Sequence, residues 1–294
     1  MEYTSSADRL TRDYFDSLLL EPRYLDSGVP STRLDLYGET FSTPIMTAAL
    51  SHLHNTVPDG MAVYAAGAAQ ANAVHWMGMG ADEELESVVA TGARTIKVIK
   101  PHADNALVFH KIEHAVASGC LAVGMDIDHP FTPDGQFDVC DGFPLKAKST
   151  EELTEFVQAA GVPFIAKGVL SPQDAEKCLK AGCAGIVVSH HHGMIPYSIP
   201  PLMALESIVD VVDRQIPIFV DCGIESGADA YKALALGATA VSVGRHLMGF
   251  LKAGPDAVAA RINQMTAELA GIMAKTGVTS LDQMDPTVIH RRQF

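Results

Sequence analysis

The sequence predicts an α/β fold of the (β/α)8 TIM-barrel type, on three observations. Short, apolar, β-branched runs alternate with amphipathic helical stretches from about residue 43 to 250, and there are eight such runs. Each run is apolar on both faces, as buried parallel strands are. The turn after the first run reads Ala48-Ala49-Leu50-Ser51-His52, without the glycines that a doubly wound sheet wants there. Eight strand–helix units suit a closed barrel better than a six-stranded open sheet.

The elements follow in order. An N-terminal helix comes first, and 34–41 reads as a hairpin with Tyr37-Gly38 at its turn, placed to plug one barrel end. The strands are expected at 44–48, 73–77, 95–99, 121–126, 163–166, 185–189, 217–221 and 240–244. Helical patterns fall at 82–90, 105–118, 151–160, 172–181, 201–212 and 227–236. Several end on a glycine just before the next strand (Gly119, Gly161, Gly182, Gly237), a residue that accepts the left-handed conformation closing a helix. A long amphipathic helix, 256–275, forms a C-terminal extension. No linker or internal repeat interrupts residues 1–294, so one domain is expected.

The chain has 35 acidic and 21 basic side chains and a formal charge of −14, which argues against nucleic acid or an anionic membrane as partner. Its 48% hydrophobic and 19% charged composition is that of an ordinary globule. The five cysteines form an odd set without a CxxC pair, so reduced thiols and a cytoplasmic setting are expected. Residues 1–20 are too polar for a secretory leader, and no apolar run approaches the roughly 20 residues that span a bilayer.

Barrel chemistry gathers at the C-terminal ends of the strands. There the sequence places His52 and His54, His75, Lys97 and Lys100, Asp126, Asp128 and His129, Lys167, Ser189 with His190, His191 and His192, Asp221, and Gly244-Arg245. Gly223 and Gly244, with Arg245, suit a phosphate cradle after strands seven and eight. His52-x-His54 resembles the pattern of metal-dependent amidohydrolases. That pattern needs an aspartate after strand eight, where Arg245 stands, and an arginine cannot bind a cation. No catalytic metal is expected. His110 and His114, four apart on one helix, are expected on a solvated outer face.

The stretches Asp221-Cys-Gly-Ile-Glu-Ser-Gly227, Tyr231-Lys-Ala-Leu-Ala-Leu-Gly-Ala238 and Val243-Gly-Arg245 resemble the C-terminal signature of FMN-dependent α-hydroxy acid oxidases and dehydrogenases. Ile165-Ala-Lys-Gly-Val169, Val188-Ser-His-His-His192, Thr43-Pro-Ile-Met46 and Ala122-Val-Gly-Met-Asp126 resemble the strand motifs of that family, in the right order. The resemblance implies FMN across the barrel mouth, with Lys167 near the flavin N1/O2 edge, where a cation stabilises the anionic reduced ring. It implies that Gly223, Gly244 and Arg245 hold the phosphate, and that Ala48, Ala49, His75, Lys97, Ser189 and Asp221 complete the cofactor set. His191 corresponds by spacing to the family's active-site base, with His192 one residue away as the other choice. Asp126 corresponds to the carboxylate that supports this base. The alternative for Lys167 and Asp126 is a salt bridge at the mouth. A homotetramer is a further implication of the family.

Two departures matter. No arginine occurs between Arg94 and Arg214, so the pair that clamps a substrate carboxylate in the family is missing, and lysine does not reproduce its planar fork. The expected substrate is therefore small and hydroxyl-bearing, but not an arginine-clamped 2-hydroxy acid. Glu225 also stands where the family places a phosphate-binding arginine. An FMN-dependent isomerase, or a flavin-free barrel binding phosphate or metal, are the other readings these residues allow. Residues 127–148, the longest connection, contain Pro130, Pro133, Gly135 and Gly142; they read as a lid or as a disordered insertion.

Overall fold

The computed structural model describes residues 5–292. The barrel strands are β1 (Ile45–Thr47), β2 (His75–Met77), β3 (Thr95–Ile99), β4 (Ala122–Asp126), β5 (Phe164–Val169), β6 (Gly185–Val188), β7 (Ile218–Val220) and β8 (Ala240–Val243). All are parallel, with β8 hydrogen-bonded to β1 and the others in sequence order. Closure between β1 and β2 comes from Thr47 N–H donating to the Val74 carbonyl at 3.2 Å and from a parallel bridge between Leu50 and Met77. The expected barrel is present, with all eight strands where the apolar runs put them.

Alternation along each strand divides the core in two. Met46, Trp76, Ile96, Val98, Ala122, Ile165, Val187, Phe219 and Ala240 point inward and fill the barrel. Trp76 meets Phe219 edge-on at 5.4 Å, a contact worth about 0.5–1.5 kcal/mol beyond the area it buries. Leu34, Leu36 and Phe41 of the N-terminal hairpin (Leu34–Leu36 and Glu39–Phe41) join this inner cluster and close the bottom of the barrel. The hairpin is anchored where the Tyr37 hydroxyl donates to the Ala184 carbonyl at 2.9 Å.

The residues of opposite parity pack outward on the helices α1 (Gly60–Gln70), α2 (Asp82–Ala90), α3 (Asn105–Ala117), α4 (Thr150–Ala160), α5 (Pro172–Ala181), α6 (Pro201–Val212), α7 (Gly227–Ala235) and α8 (Pro255–Lys275). α4 begins with a reciprocal capping box between Ser149 and Glu152, and α4 and α5 end on left-handed Gly161 and Gly182. α1 has no counterpart in the sequence reading, because Gly-Met-Ala-Val-Tyr-Ala-Ala-Gly-Ala-Ala-Gln lacks a polar face to set a period. It is sandwiched between the sheet and α8. A Cβ on Gly67 would lie 2.6 Å from Val258, so glycine permits that close approach.

The N-terminal helix (Ser6–Ser17), capped by Ser5, lies against the upper end of the barrel. It is held by Thr11 Oγ1, 2.8 Å from His190 Nε2, and by buried Phe15. The five cysteines are all free thiols. Among the described residues, no helix is long and apolar enough to cross a membrane.

Candidate active site

The same inward series, continued past the strand ends, supplies the site. After Met46 comes Ala48, after Val98 comes Lys100, and after Ala122 and Gly124 comes Asp126. After Ile165 comes Lys167, after Val187 Ser189, after Phe219 Asp221, and after Ala240 come Ser242 and Gly244. All of these strand-end groups but Ser189, which stays buried beneath the turn after β6, surround a cavity of about 550 Å³, also lined by Ala49, Arg12, His129, Cys140, His191, His192, Gly223 and Arg245.

On the β3–β6 side, a carboxylate sits between two amines. Lys100 Nζ donates to Asp126 Oδ2 at 2.7 Å and Lys167 Nζ to Asp126 Oδ1 at 2.8 Å, and all three side chains are almost fully buried. Asp126 and Lys167 are direct partners in the β4–β5 ladder, which fixes their separation. Burial alone would push the Asp126 carboxyl up, but Lys167 and Lys100 more than offset this and hold it well below the usual range. Burial would likewise lower the Lys167 amine, and Asp126, Asp128 and Asp221 instead raise it. Both members are thus charged.

His191 Nδ1 lies 3.0 Å from Asp128 Oδ1 and 3.9 Å from Asp126 Oδ1. The expected partner of this histidine therefore shifts by two residues along the chain: Asp128 makes the hydrogen bond, while both Asp126 oxygens accept from lysines. Asp128 reaches this position beside Gly168, which has φ +95° in an irregularity of β5. A Cβ there would meet the Asp128 carboxyl, so only glycine leaves room. His191 and His192 are both left-handed, at φ 46° and 61°, in the turn after β6. Ser189 lies beneath this turn, its Oγ accepting from the His191 N–H at 3.0 Å. His192 lines the cavity from the more exposed side of the turn, and among the described residues no carboxylate pairs with it as Asp128 does with His191.

His75 and Lys97 are not brought to the cavity. Both have the outward parity of their strands: His75 Nδ1 is 2.9 Å from Thr47 Oγ1, with the ring edge-on to Tyr64, and Lys97 Nζ donates to the Gly78 carbonyl at 2.5 Å. Burial lowers His75 to about 3, and Lys97 to about 8. The inward amine of β3 is Lys100, whose position two residues beyond Val98 carries the signal that distinguishes it from Lys97.

Across the mouth, beside β7 and β8, stand Gly223, Gly244 and Arg245. Arg245 Nη2 pairs with Asp8 Oδ1 at 2.9 Å. Arg12, which the sequence reading did not single out, reaches the same end: it bonds Asp229 at 2.9 Å and approaches the Gly223 carbonyl at 3.5 Å. The N-terminal helix thus delivers a guanidinium to the segment that carries Glu225, where the family resemblance implies an arginine: Arg12 and the Glu225 N–H both bond Asp229. Glu225 is tied down through its backbone, its carbonyl accepting from Arg261 at 2.8 Å.

The connection over the mouth is folded, with Val139–Cys140 paired to Phe143–Pro144 and Lys146 N–H bonded to the Pro101 carbonyl at 2.9 Å. His129, at its start, accepts from Lys100 through Nδ1 at 2.8 Å. His110 and His114 lie on the outer face of α3 with Asp82 and Glu86, as expected. The ligand atoms of Asp126, Asp128 and His191 fall within 4.8 Å of one another, but two ammonium groups already hold the Asp126 oxygens.

The donor set suits an anionic, ring-bearing cofactor. The cavity is of ligand size, a buried amine stands at one side, and two arginines and two glycines stand at the other. At Gly244 a Cβ would lie 3.3 Å from that of Ala48, so the wall there is kept thin by small residues.

The sequence matches the FMN-dependent dehydrogenase family over residues 3–160 and 146–291. An L-lactate oxidase of Roseobacter sp. (strain GAI101) is 28% identical over 293 residues, covering 88% of this chain and 79% of that protein. A 4-hydroxymandelate oxidase of Amycolatopsis orientalis is 28% identical over 306 residues, covering 92% and 86%. Among solved structures, a tyrosine-to-phenylalanine variant of mandelate oxidase with a monooxide FMN adduct superposes with a TM-score of 0.89 at 25% identity, covering 99% of this chain and 93% of that one. An arginine-to-leucine variant of mandelate oxidase with 2-hydroxy-phenylacetamide gives 0.88 at 25% identity, covering 98% and 90%. The chain belongs to the FMN-dependent dehydrogenase family and is an oxidoreductase that uses FMN.

Proposed function

We propose that the protein oxidises a small hydroxyl-bearing substrate, with His191 as the base that takes the carbinol proton. The observation that carries this reading is the His191–Asp128 pair at the edge of the cavity. A carboxylate only accepts hydrogen bonds, so Nδ1 of the neutral ring carries the hydrogen and Nε2 is the basic nitrogen. As the proton is taken the ring becomes cationic, and Asp128 stabilises that charge where it develops. FMN, when bound, would supply the hydride acceptor. Lys167 would hold the N1/O2 edge, Arg245, Gly223 and Gly244 the phosphate, with Arg12 nearby, and Ala48, Ala49 and Asp221 the space between, while Ser189 supports the turn that carries His191. Of the readings the sequence left open, family membership supports this one over an isomerase or a flavin-free barrel.

Among the described residues, no arginine lines the cavity on the side of Lys100 and His129. The two arginines lining the cavity, Arg12 and Arg245, stand beside β7 and β8 and are paired with acidic groups, away from Lys100 and His129. This favours a substrate whose hydroxyl-bearing carbon is not flanked by a tightly held carboxylate. His191→Ala tests the base directly. The variant keeps its flavin colour but loses anaerobic bleaching by substrate by at least a hundredfold; unchanged bleaching would transfer the role to His192 or elsewhere.

A further inference from the structure

We propose that Asp126 is a positioning residue that sets the charge presented to the flavin edge: its carboxylate, shared between Lys167 and Lys100, holds the Lys167 ammonium in place and offsets part of its field. This rests on the reading of Lys167 as the residue at the N1/O2 edge. A lone buried ammonium there would stabilise the anionic reduced ring with its full charge. Here two ammoniums and one carboxylate form a single buried unit, Lys100–Asp126–Lys167, with contacts of 2.7 and 2.8 Å. Its net charge is one positive, distributed over both amines.

The groups packed round the unit reinforce the arrangement. Asp128 and Asp221 add negative field at Lys167 from the ends of β4 and β7. His129 takes a hydrogen bond from Lys100 through Nδ1 at 2.8 Å, so the ring is neutral and adds no charge of its own. Lys100 is therefore the counterweight. It draws Asp126 Oδ2 to itself, so that the carboxylate's charge is divided between the two lysines. Because all three side chains are almost fully buried, their charges are screened little by water.

The unit thus makes two predictions of opposite sign for the midpoint potential of the FMN-loaded protein, measured by equilibration with a reference dye. Asp126→Asn keeps the shape and removes the negative charge. It should shift the reduction equilibrium toward reduced flavin at least tenfold, which is about 30 mV upward for a two-electron couple. Lys100→Met leaves Asp126 opposite Lys167 alone and should move the potential downward by a similar factor. Asp126→Glu, which restores the charge, should return the equilibrium to within about threefold of the original. Loosened packing would not produce opposite signs from two neighbours. If Asp126→Asn does not fold, a downward shift in Lys100→Met supports the inference and an unmoved or upward one overturns it. FMN uptake with potentials unmoved, or moved the same way by both variants, overturns this inference alone. Failure of the original protein to take up FMN overturns the reading of the site together with it.

Discussion

Replacing Asp128 by asparagine isolates the contribution of one charge to proton abstraction. The Asp128 carboxylate accepts from His191 Nδ1 at 3.0 Å, with the side chains only 15% and 20% exposed. A hydrogen bond to a charged partner in such surroundings is worth about 1.5–3 kcal/mol. Each 1.36 kcal/mol is tenfold in rate, so Asp128→Asn should slow the reaction by roughly 10- to 150-fold. The charge matters most once the ring is protonated, so kcat and kcat/KM should fall together and KM should change little. The assay is anaerobic stopped-flow bleaching of the flavin band, with FMN content measured beforehand in both proteins. A change smaller than about threefold would refute the assignment of Asp128, as would a loss of turnover that merely tracks a loss of bound FMN.

Three further outcomes follow from particular contacts. His75 is neutral in the fold, lowered to about 3 by burial and then by Lys97, whereas the unfolded chain protonates it at its ordinary value. Its contribution is intact above about pH 6.5 and declines as the pH falls, reaching a loss of about 2 kcal/mol near pH 5. Urea unfolding of the wild type and His75→Gln at those two pH values should show the variant losing less, and equal losses would contradict the account. Asp8→Asn removes the carboxylate that now pairs with Arg245, so FMN should bind about tenfold more tightly by titration calorimetry; weaker binding would show that Asp8 assists the site instead. Paired substrates test the missing clamp: the amide or methyl ester of a 2-hydroxy acid should be oxidised at least as well as the acid. A hundredfold preference for the acid would mean that Lys100 serves as a carboxylate receptor.

The barrel was legible because each strand is buried on both faces, and the sequence shows this as short continuous apolar runs. α1 was not, since a helix enclosed between sheet and α8 needs no polar stripe. The site was legible to within the parity of the strands. Asp126 and Lys167 lie on inward positions and meet at the mouth, whereas His75 and Lys97 lie one step out of phase and face the helices. Continuing the alternation from Val98 to Lys100 would have separated the two lysines. The choice of Asp128 over Asp126 for His191 depends on the irregularity at Gly168, and the arrival of Arg12 depends on how a helix outside the barrel docks. Both are tertiary facts without a local pattern.

This cavity is expected to hold FMN and to let a substrate hydride pass to it. The most direct measurement of this is the visible spectrum of the FMN-loaded protein during anaerobic addition of small hydroxyl-bearing compounds, with the product analysed. At least one of them should bleach the flavin band and yield one equivalent of the carbonyl product per flavin. A protein that takes up no FMN, or a flavin that no such compound reduces, would contradict this expectation.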